Sequence, residues 1–222
     1  PIAVELEALN YLSQLLYGEE DYQGSLEYLN AWMELSTIVG AEKFFFRGQI
    51  YYTMNKKTQA LKDVGTAVKM YEDKGKPAKE QWYGLQLAIL LEKENFKAGK
   101  PILEKLIRHY PKIKWWTQYA NVNGLLNDDK RQLAALDAVN VMGGLKKRQE
   151  VVNTAYLYLG ESAPYEAAQV LEKGMKAGHV PKDVKNLQTL ANAYRQAKEY
   201  KEAINAYEQA AAAAKKEDAA KA

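Results

Sequence analysis

Cysteine is absent from the 222-residue chain, and histidine occurs only at His109 and His179. The first absence excludes disulfides, thiolate catalysis and cysteine-based zinc sites, and two histidines give little basis for a histidine-based metal site. No apolar run in the sequence approaches the roughly 20 residues that a helix needs to cross a bilayer. The sequence therefore predicts no metal, no cofactor and no direct insertion into a membrane.

Basic residues are missing from residues 1–42, which carry eight acidic side chains, although the net charge of the whole chain is +3. The remaining residues therefore carry a net charge of +11, and the two ends of the chain have opposite charge. Six lysines and arginines against one glutamate lie between residues 97 and 114, but no nucleic-acid-reading motif accompanies them. We interpret that basic stretch as solvated helix faces and expect no nucleic-acid partner.

Catalytic patterns are also lacking. His109 and His179 each stand two residues before a proline, a position that is typical of a helix end. The acidic groups at 19–21 and 128–129 fall in turns, where carboxylates cap the helix that follows. No glycine-rich phosphate loop or dinucleotide fingerprint is present in the sequence. The sequence therefore predicts no catalytic residues and a protein that is not an enzyme.

The pattern that is present is clearest in residues 184–215. Large and small apolar residues recur at the spacing of two amphipathic helices, which a polar turn at Lys198 and Glu199 separates. Counted from Val184, these residues stand at positions 4, 7, 8, 11, 20, 24 and 27: Leu187, Leu190, Ala191, Tyr194, Ala203, Tyr207 and Ala210. This order and spacing resembles the tetratricopeptide repeat, a pair of antiparallel helices that stacks on its neighbours.

Earlier copies of the pattern can be located through the small residue at position 20, where the two helices of a repeat approach closely. Five upstream residues at spacings of 34–38 correspond to Ala203: Gly24, Ala60, Ala98, Gln132 and Ala167. Gln132 is large, so we expect a looser fourth repeat in which Ala134 or Ala135 makes the close contact. The six repeats are assigned to residues 5–38, 41–74, 79–112, 113–146, 148–181 and 184–217.

These repeats predict an all-α protein, a right-handed α-α superhelix (solenoid) of six helix pairs in one domain over residues 1–222. Asn55 is expected to end a helix in left-handed geometry, and Pro164 to begin one. Beyond the first turn, proline costs a helix about 3 kcal/mol. Because of Pro101, we therefore expect the second helix of the third repeat to begin near Gly99 or Lys100. The residues from Ala210 onward are expected either to cap the solenoid or to fray.

The resemblance implies a binding function, because positions 2, 5, 9, 12 and 13 of tetratricopeptide repeats line a concave groove. Carried over to this sequence, these positions imply partner-binding residues that are aromatic, aliphatic or amide-bearing, with one cation: Phe45, Gln49, Tyr52, Tyr83, Leu87, Asn121, Tyr156, Asn192 and Arg195. The three tyrosines are expected to expose their hydroxyl groups to water, whereas Leu87 also suits the core. Such a groove suits an extended or helical peptide.

One specialised ligand is not expected. The tetratricopeptide repeats that grip the C-terminal carboxylate of cytosolic chaperones require lysine at position 5, where this chain has Thr117 and Gln188. The resemblance therefore does not extend to a receptor for chaperone tails.

A narrower resemblance covers mainly the C-terminal half, in residues 116–136, 155–158, 163–168 and 170–174. These segments are similar to bacterial tetratricopeptide proteins found with TonB, ExbB and ExbD energy-transduction systems. That resemblance implies a periplasmic protein with an upstream signal peptide and further repeats, which assists energy transfer to outer-membrane receptors for iron complexes. The chain begins at Pro1 without methionine, so we expect a processed chain or a fragment of a longer one.

Three classes of function remain open at this stage. The first is a periplasmic scaffold that binds a protein or peptide in its groove, with TonB-system components as candidate partners. The second is a structural or assembly protein of the cell envelope, in which the acidic first repeat meets a basic surface of another copy or of upstream repeats. The third is an accessory domain of an enzyme whose catalytic part is absent.

Overall fold

The computed structural model describes residues 2–219, except for the side chains of residues 217 and 218, and this part of the chain forms twelve α-helices and no strand. The helices follow one another as six antiparallel pairs, which confirms the prediction of an all-α fold of the solenoid class. They are α1 (Ile2–Gly18), α2 (Tyr22–Leu35), α3 (Ala41–Thr53), α4 (Lys57–Glu72), α5 (Glu80–Glu92), α6 (Phe96–His109), α7 (Ile113–Leu125), α8 (Asp129–Val141), α9 (Arg148–Gly160), α10 (Pro164–Lys176), α11 (Val184–Gln196) and α12 (Tyr200–Ala219).

The six hairpins group into two compact units, Pro1–Pro111 and Lys112–Ala222, with three hairpins in each. Within the first unit, α2 packs on α3 and α4 packs on α5. Within the second unit, α8 packs on α9 and α10 packs on α11. The second helix of one hairpin therefore covers a side of the first helix of the next. The assignment of residues 1–222 to a single domain stays a prediction.

The same turn joins the two helices of every hairpin. Each turn contains one non-glycine residue with a positive φ: Glu20 (64°), Asn55 (57°), Glu94 (53°), Asn127 (56°), Ser162 (59°) and Lys198 (64°). In the second hairpin the N–H of Asn55 donates to the carbonyl of Tyr52 at 2.9 Å, and the N–H of Lys56 donates to that of Tyr51 at 2.8 Å. This is the Schellman pattern, which satisfies the last carbonyl groups of a helix. The left-handed geometry predicted for Asn55 is confirmed.

The turn sets the register of each hairpin. The residue five positions after the positive-φ residue marks the close approach of the second helix to the first: Ser25, Ala60, Gly99, Gln132, Ala167 and Ala203. The assignments of Gly24 and Ala98 to this position were therefore wrong by one residue. In the first hairpin Ser25 is fully buried, and its hydroxyl donates to the carbonyl of Ser13 at 2.7 Å.

Capping side chains mark where these two helices begin. The carboxylate of Asp21 accepts a hydrogen bond from the N–H of Gly24 at 2.9 Å, and the amide of Asn95 accepts one from the N–H of Ala98 at 3.3 Å. Each cap starts its helix at the next residue, so Gly24 and Ala98 fall in the first turn and the residue after each one faces the partner helix.

The predicted late start of α6 was wrong, because Asn95 caps this helix well before Pro101 is reached. This helix begins at Phe96, not near Gly99 or Lys100, and Pro101 lies inside it. The cap by Asn95 and the burial of three apolar side chains on the inner face of α6 outweigh the cost of the proline. Those side chains are Ile102, Leu103 and Leu106. Pro164, by contrast, begins α10 as predicted.

Small residues permit the close approach in both units. A Cβ on Gly48 would lie 2.6 Å from Cγ2 of Val64, so α3 and α4 could not keep their present separation. In the fourth hairpin the large residue is on the second helix and the small one on the first. The side chain of Gln132 on α8 lies over Gly124 on α7, which has no Cβ. Ala135 is buried one turn further along α8 and Ala134 is exposed, so Ala135 makes the compensating contact.

Candidate functional site

Three of the predicted binding residues occupy one register position in the second unit. Asn121, Tyr156 and Asn192 are the ninth residues of α7, α9 and α11, the first helices of their hairpins. Asn121 is exposed, and 48% of the surface of Tyr156 is accessible to solvent. Asn192 is half-buried, and its Oδ1 accepts a hydrogen bond from the hydroxyl of Tyr207 at 2.7 Å. Arg195 is exposed one turn further along α11. The common register gives the second unit a polar face with one large aromatic ring.

Tyr156 forms a wall of an open pocket of about 390 Å³. The pocket lies between the start of α8 and the second half of α9. Four polar side chains line it beside the ring, those of Asp129, Gln132, Asn153 and Glu161, and Leu157 and Gly160 complete the lining. Carboxylate and amide groups beside a partly exposed tyrosine can hold a peptide by ring contact and hydrogen bonds. The sequence predicted Tyr156 as a binding residue. It missed the pocket residues on α8, because the groove positions taken from the tetratricopeptide family all lie on the first helix of a repeat.

Gln49 and Tyr52 lie on α3 in the first unit, and both are half-buried. The hydroxyl of Tyr52 donates to Oε1 of Glu92 at 2.5 Å, and Nζ of Lys57 lies 2.9 Å from Oε2 of the same carboxylate. The hydrogen bond to Glu92, together with partial burial, raises the pKa of Tyr52. The bonds from Tyr52 and Lys57 lower the pKa of Glu92. The Tyr52 hydroxyl is therefore already engaged within the unit, and Glu92 is the acidic group that it positions.

Phe45 lies in the core of the first unit, in contrast to its predicted place in the groove. Only 8% of its surface is exposed, and its ring stacks on that of Trp82 with centroids 5.1 Å apart and an interplanar angle of 20°. Trp82 belongs to α5, the first helix of the next hairpin. The stacking of aromatic rings from two neighbouring first helices therefore buries Phe45.

Tyr83 and Leu87 are also buried, each with 1% of its surface exposed. The register shift in the third repeat explains this result, because Tyr83 and Leu87 become the fourth and eighth residues of α5, which face the interior. Asn95 was the signal in the sequence that could have located the shift, since it is a preferred capping residue immediately before α6. The expectation that Leu87 also suits the core agrees with its burial.

The hydroxyl of Tyr83 makes hydrogen bonds within the first unit. The expectation that this hydroxyl is exposed to water was therefore wrong. It donates to Oε1 of Glu72 at 2.7 Å and accepts from the N–H of Ala78 at 3.2 Å. Burial and the hydrogen bond to Glu72 raise the pKa of Tyr83 to about 12. Burial alone would raise the pKa of Glu72, but hydrogen bonds from Lys105 and Tyr83 outweigh that effect and lower it. These residues form a polar network inside the first unit.

The described part of the chain has no group of three or more histidine, cysteine, aspartate or glutamate residues arranged to hold a metal ion. Within residues 2–219, no helix combines the length and the apolar character that crossing a membrane requires.

Two of the acidic residues in turns between helices have a structural role as helix caps. The predicted caps are confirmed at Asp21 and Asp128, whose side chains accept hydrogen bonds from the backbones of Gly24 and Arg131.

No protein-family model matches the sequence, and no curated protein matches it. Solved structures do share its fold. The structure of MamA from residue 41 to the end, from Desulfovibrio magneticus RS-1, is 14% identical, covers 78% of this chain and 94% of its own, and has a TM-score of 0.55. YrrB, described as a TPR protein with an unusual peptide-binding site, is 13% identical, with 90% of each chain covered and a TM-score of 0.55.

A longer structure gives the same result. A chain in the complex of Naa15 and Naa10 bound to HypK-THB is 12% identical, with a TM-score of 0.60 over 92% of this chain and 31% of that one. Identities this low establish the fold alone. Together with the six hairpins, they place the chain in the class of all-α proteins with a tetratricopeptide-like fold.

Proposed function

We propose that the chain is a non-catalytic protein-interaction scaffold that binds a peptide segment of a protein partner on the Tyr156 face of the second unit. The Tyr156 face is formed by residues at and after the ninth positions of α7, α9 and α11, all exposed except the half-buried Asn192: Asn121, Leu125, Tyr156, Asn192 and Arg195. The observation that carries the proposal is the open pocket at Tyr156, where an aromatic ring stands among amide and carboxylate groups.

The composition of the Tyr156 face fits a peptide ligand. Leu125 and Tyr156 are both exposed, and a tyrosine ring with polar groups beside it offers contact area to a peptide. Amide side chains at the same register position can pair with a peptide backbone, and Arg195 can pair with a carboxylate. The peptide-binding site named for YrrB supports the idea that this type of fold serves such a role.

A comparison of two tyrosines tests this proposal. Tyr156 on α9 and Tyr165 on α10 have nearly equal exposure, 48% and 47%, but only Tyr156 lies on the proposed face. A displayed library of random peptides would be selected on the wild-type chain, and the enriched peptides would then be titrated against Tyr156→Ala and Tyr165→Ala. We expect affinity to fall about tenfold or more for Tyr156→Ala and to stay unchanged for Tyr165→Ala. Equal affinity for all three chains would reject the Tyr156 face.

A narrower proposal names the partner. The similarity of the C-terminal half to tetratricopeptide proteins of TonB, ExbB and ExbD systems supports a periplasmic adaptor that assists energy transfer to iron-complex receptors. It is tested by titrating the purified periplasmic domains of TonB and ExbD against the chain and the same two tyrosine variants. Binding that Tyr156→Ala weakens would support the adaptor. Absence of binding by either domain would reject this partner, while the peptide selection would still decide the broader proposal.

A further inference from the structure

The open pocket of about 390 Å³ beside Tyr156 has acidic walls. We call it the Tyr156 pocket. Its lining includes the carboxylates of Asp129, the first residue of α8, and Glu161, the residue directly after α9, and both side chains are exposed. Among the described residues, no lysine, arginine or histidine belongs to this lining. Two negative charges therefore stand in the pocket without a cation in its walls.

The two carboxylates have no partner elsewhere in the described part of the chain. Within residues 2–219, neither Asp129 nor Glu161 makes an ion pair or a side-chain hydrogen bond. Arg131, two residues from Asp129, pairs with Asp128 at 2.6 Å. The second unit as a whole has 17 lysines and arginines against 13 acids, a net charge of +4. The Tyr156 pocket is thus a local acidic site on a basic unit.

A second open pocket of the same unit is different. It has a volume of about 520 Å³, and two lysines line it together with three acids. Lys176 pairs there with Glu172 at 2.9 Å, and the hydroxyl of Tyr158 donates to Asp137 at 2.7 Å. The chain's own groups therefore satisfy two of the three acids in that pocket, whereas both acids of the Tyr156 pocket are available to a ligand.

The first unit shows what accompanies a tyrosine and a carboxylate in this chain. Three times, a glutamate accepts a hydrogen bond from a tyrosine hydroxyl and also pairs with a lysine. The lysine nitrogen lies 2.9, 3.4 and 2.7 Å from the carboxylate in the groups Tyr52–Glu92–Lys57, Tyr71–Glu42–Lys79 and Tyr83–Glu72–Lys105, respectively.

In the third group one lysine contacts both the ring and the carboxylate. Nζ of Lys105 lies 5.9 Å from the centroid of the Tyr83 ring, within the range of a cation–π contact, while it pairs with Glu72. At Tyr156 an exposed ring and two carboxylates are present, and the cation is missing from the lining.

We propose that the Tyr156 pocket receives a lysine or arginine side chain of the bound peptide. Asp129 and Glu161 pair with its charge, and the ring of Tyr156 covers its stem or its guanidinium plane. This inference rests on the proposed binding of a peptide at the Tyr156 face, and it adds the charge of the peptide residue that the pocket selects.

The first test uses peptides from the displayed random library that bind the wild-type chain and lose affinity for Tyr156→Ala. We expect these peptides to share one basic residue. Each would be synthesised with that residue and with glutamine in its place, and titrated against the wild type. Since the basic residue makes two ion pairs and a ring contact, we expect its replacement to lower affinity about tenfold.

A pair of neutral substitutions links that loss to the pocket. Asp129→Asn with Glu161→Gln removes both charges and keeps the size of the side chains. We expect the basic peptide to bind this variant about tenfold more weakly than the wild type, and the glutamine peptide to bind both chains equally. Glu166→Gln with Glu208→Gln is the control, because it changes the net charge equally at two exposed acids outside the pocket. It should leave both affinities unchanged.

Charge reversal should change the preference of the pocket. The variant Asp129→Lys with Glu161→Lys should bind a peptide with glutamate at the selected position more tightly than the original basic peptide. Circular dichroism checks that the variants are folded. If the double variant unfolds, Glu161→Lys alone makes the same comparison, since Glu161 lies outside the helices.

The outcomes separate this inference from the proposed function. Peptides that depend on Tyr156 but share no basic residue, or that bind the neutral pocket variant as well as the wild type, overturn the basic-residue inference and leave the Tyr156 face in place. An equal loss in the Glu166 and Glu208 control also overturns it, because the attraction would then be a general effect of net charge. If no enriched peptide depends on Tyr156, the proposed function fails, and this inference fails with it.

Discussion

Arg47 on α3 holds the buried carboxylate of Asp63 on α4 with two hydrogen bonds, Nε to Oδ2 at 2.6 Å and Nη2 to Oδ1 at 3.0 Å. Its remaining nitrogen, Nη1, donates to Oδ1 of Asn30 on α2 at 3.1 Å. The hydrogen bond to Asp63 raises the pKa of Arg47, although burial opposes it. One guanidinium therefore ties three helices of the first unit together.

Removing the carboxylate should destabilise the chain strongly. Asp63→Ala leaves Arg47 partly buried without its ionic partner, and we expect the free energy of unfolding to fall by about 3 kcal/mol, near the lower end for such pairs because Arg47 is partly exposed. Denaturant titration measures this change. Asp73→Ala is the control, since Asp73 pairs with Lys69 on the surface and should cost less than about 1 kcal/mol. Equal costs for the two variants would contradict the role of Asp63.

Gly48 should tolerate no side chain. In Gly48→Ala the new Cβ would meet Cγ2 of Val64 at 2.6 Å and the backbone nitrogen of Val64 at 3.2 Å, so we expect a loss of about 1–3 kcal/mol through forced separation of α3 and α4. Gly160→Ala provides the comparison, because no atom lies within 4 Å of the added Cβ there. Thermal unfolding of both variants should show a lower melting temperature for the first only.

High pH should weaken the fold through Tyr83. The pKa of this tyrosine is about 12 in the folded chain, above the value near 10 expected after unfolding. The folded state therefore keeps the proton longer, and the stabilisation is complete below pH 10 and disappears as the pH rises through 12. We expect the free energy of unfolding to fall with pH across this window.

A substitution isolates the contribution of Tyr83 to that dependence. Tyr83→Phe removes the ionisable hydroxyl together with its hydrogen bond to Glu72, so it should cost about 0.5–1.5 kcal/mol at neutral pH and make the decline above pH 10 shallower. Tyr11→Phe, at an exposed tyrosine on α1, should leave both quantities unchanged. A decline as steep in Tyr83→Phe as in the wild type would assign the pH dependence to other groups.

The proposal of a single domain over residues 1–222 makes a prediction about unfolding. Stacked repeats stabilise one another through their neighbours, so we expect one cooperative thermal transition for the whole chain. Calorimetry checks this by comparing the measured enthalpy with the van't Hoff enthalpy, which agree for a two-state process. Two resolved transitions would instead assign separate stability to Pro1–Pro111 and Lys112–Ala222.

Local chemistry made the helices and turns predictable. Asn55 tolerates a left-handed backbone, Pro164 suits the first turn of a helix, and acidic side chains cap α2 and α8, each through contacts within a few residues of the chain. The exception is Pro101. The cost of proline inside a helix predicted that α6 begins late, but the helix begins at Phe96, directly after the cap by Asn95. The repeat pattern also predicted the fold class, since regular spacing of small and large residues is a property of the chain alone.

The surface is less predictable, because a groove residue and a core residue differ by one step around a helix, or about 100°. The sequence by itself determined the six helix pairs and the place of Tyr156 as the ninth residue of a first helix, because its repeat has an unshifted register. Only the tertiary structure placed Tyr83 and Leu87 inside, through the start of α6 at Phe96. It alone paired Phe45 with Trp82, because that contact joins residues of different hairpins and depends on how the helices stack.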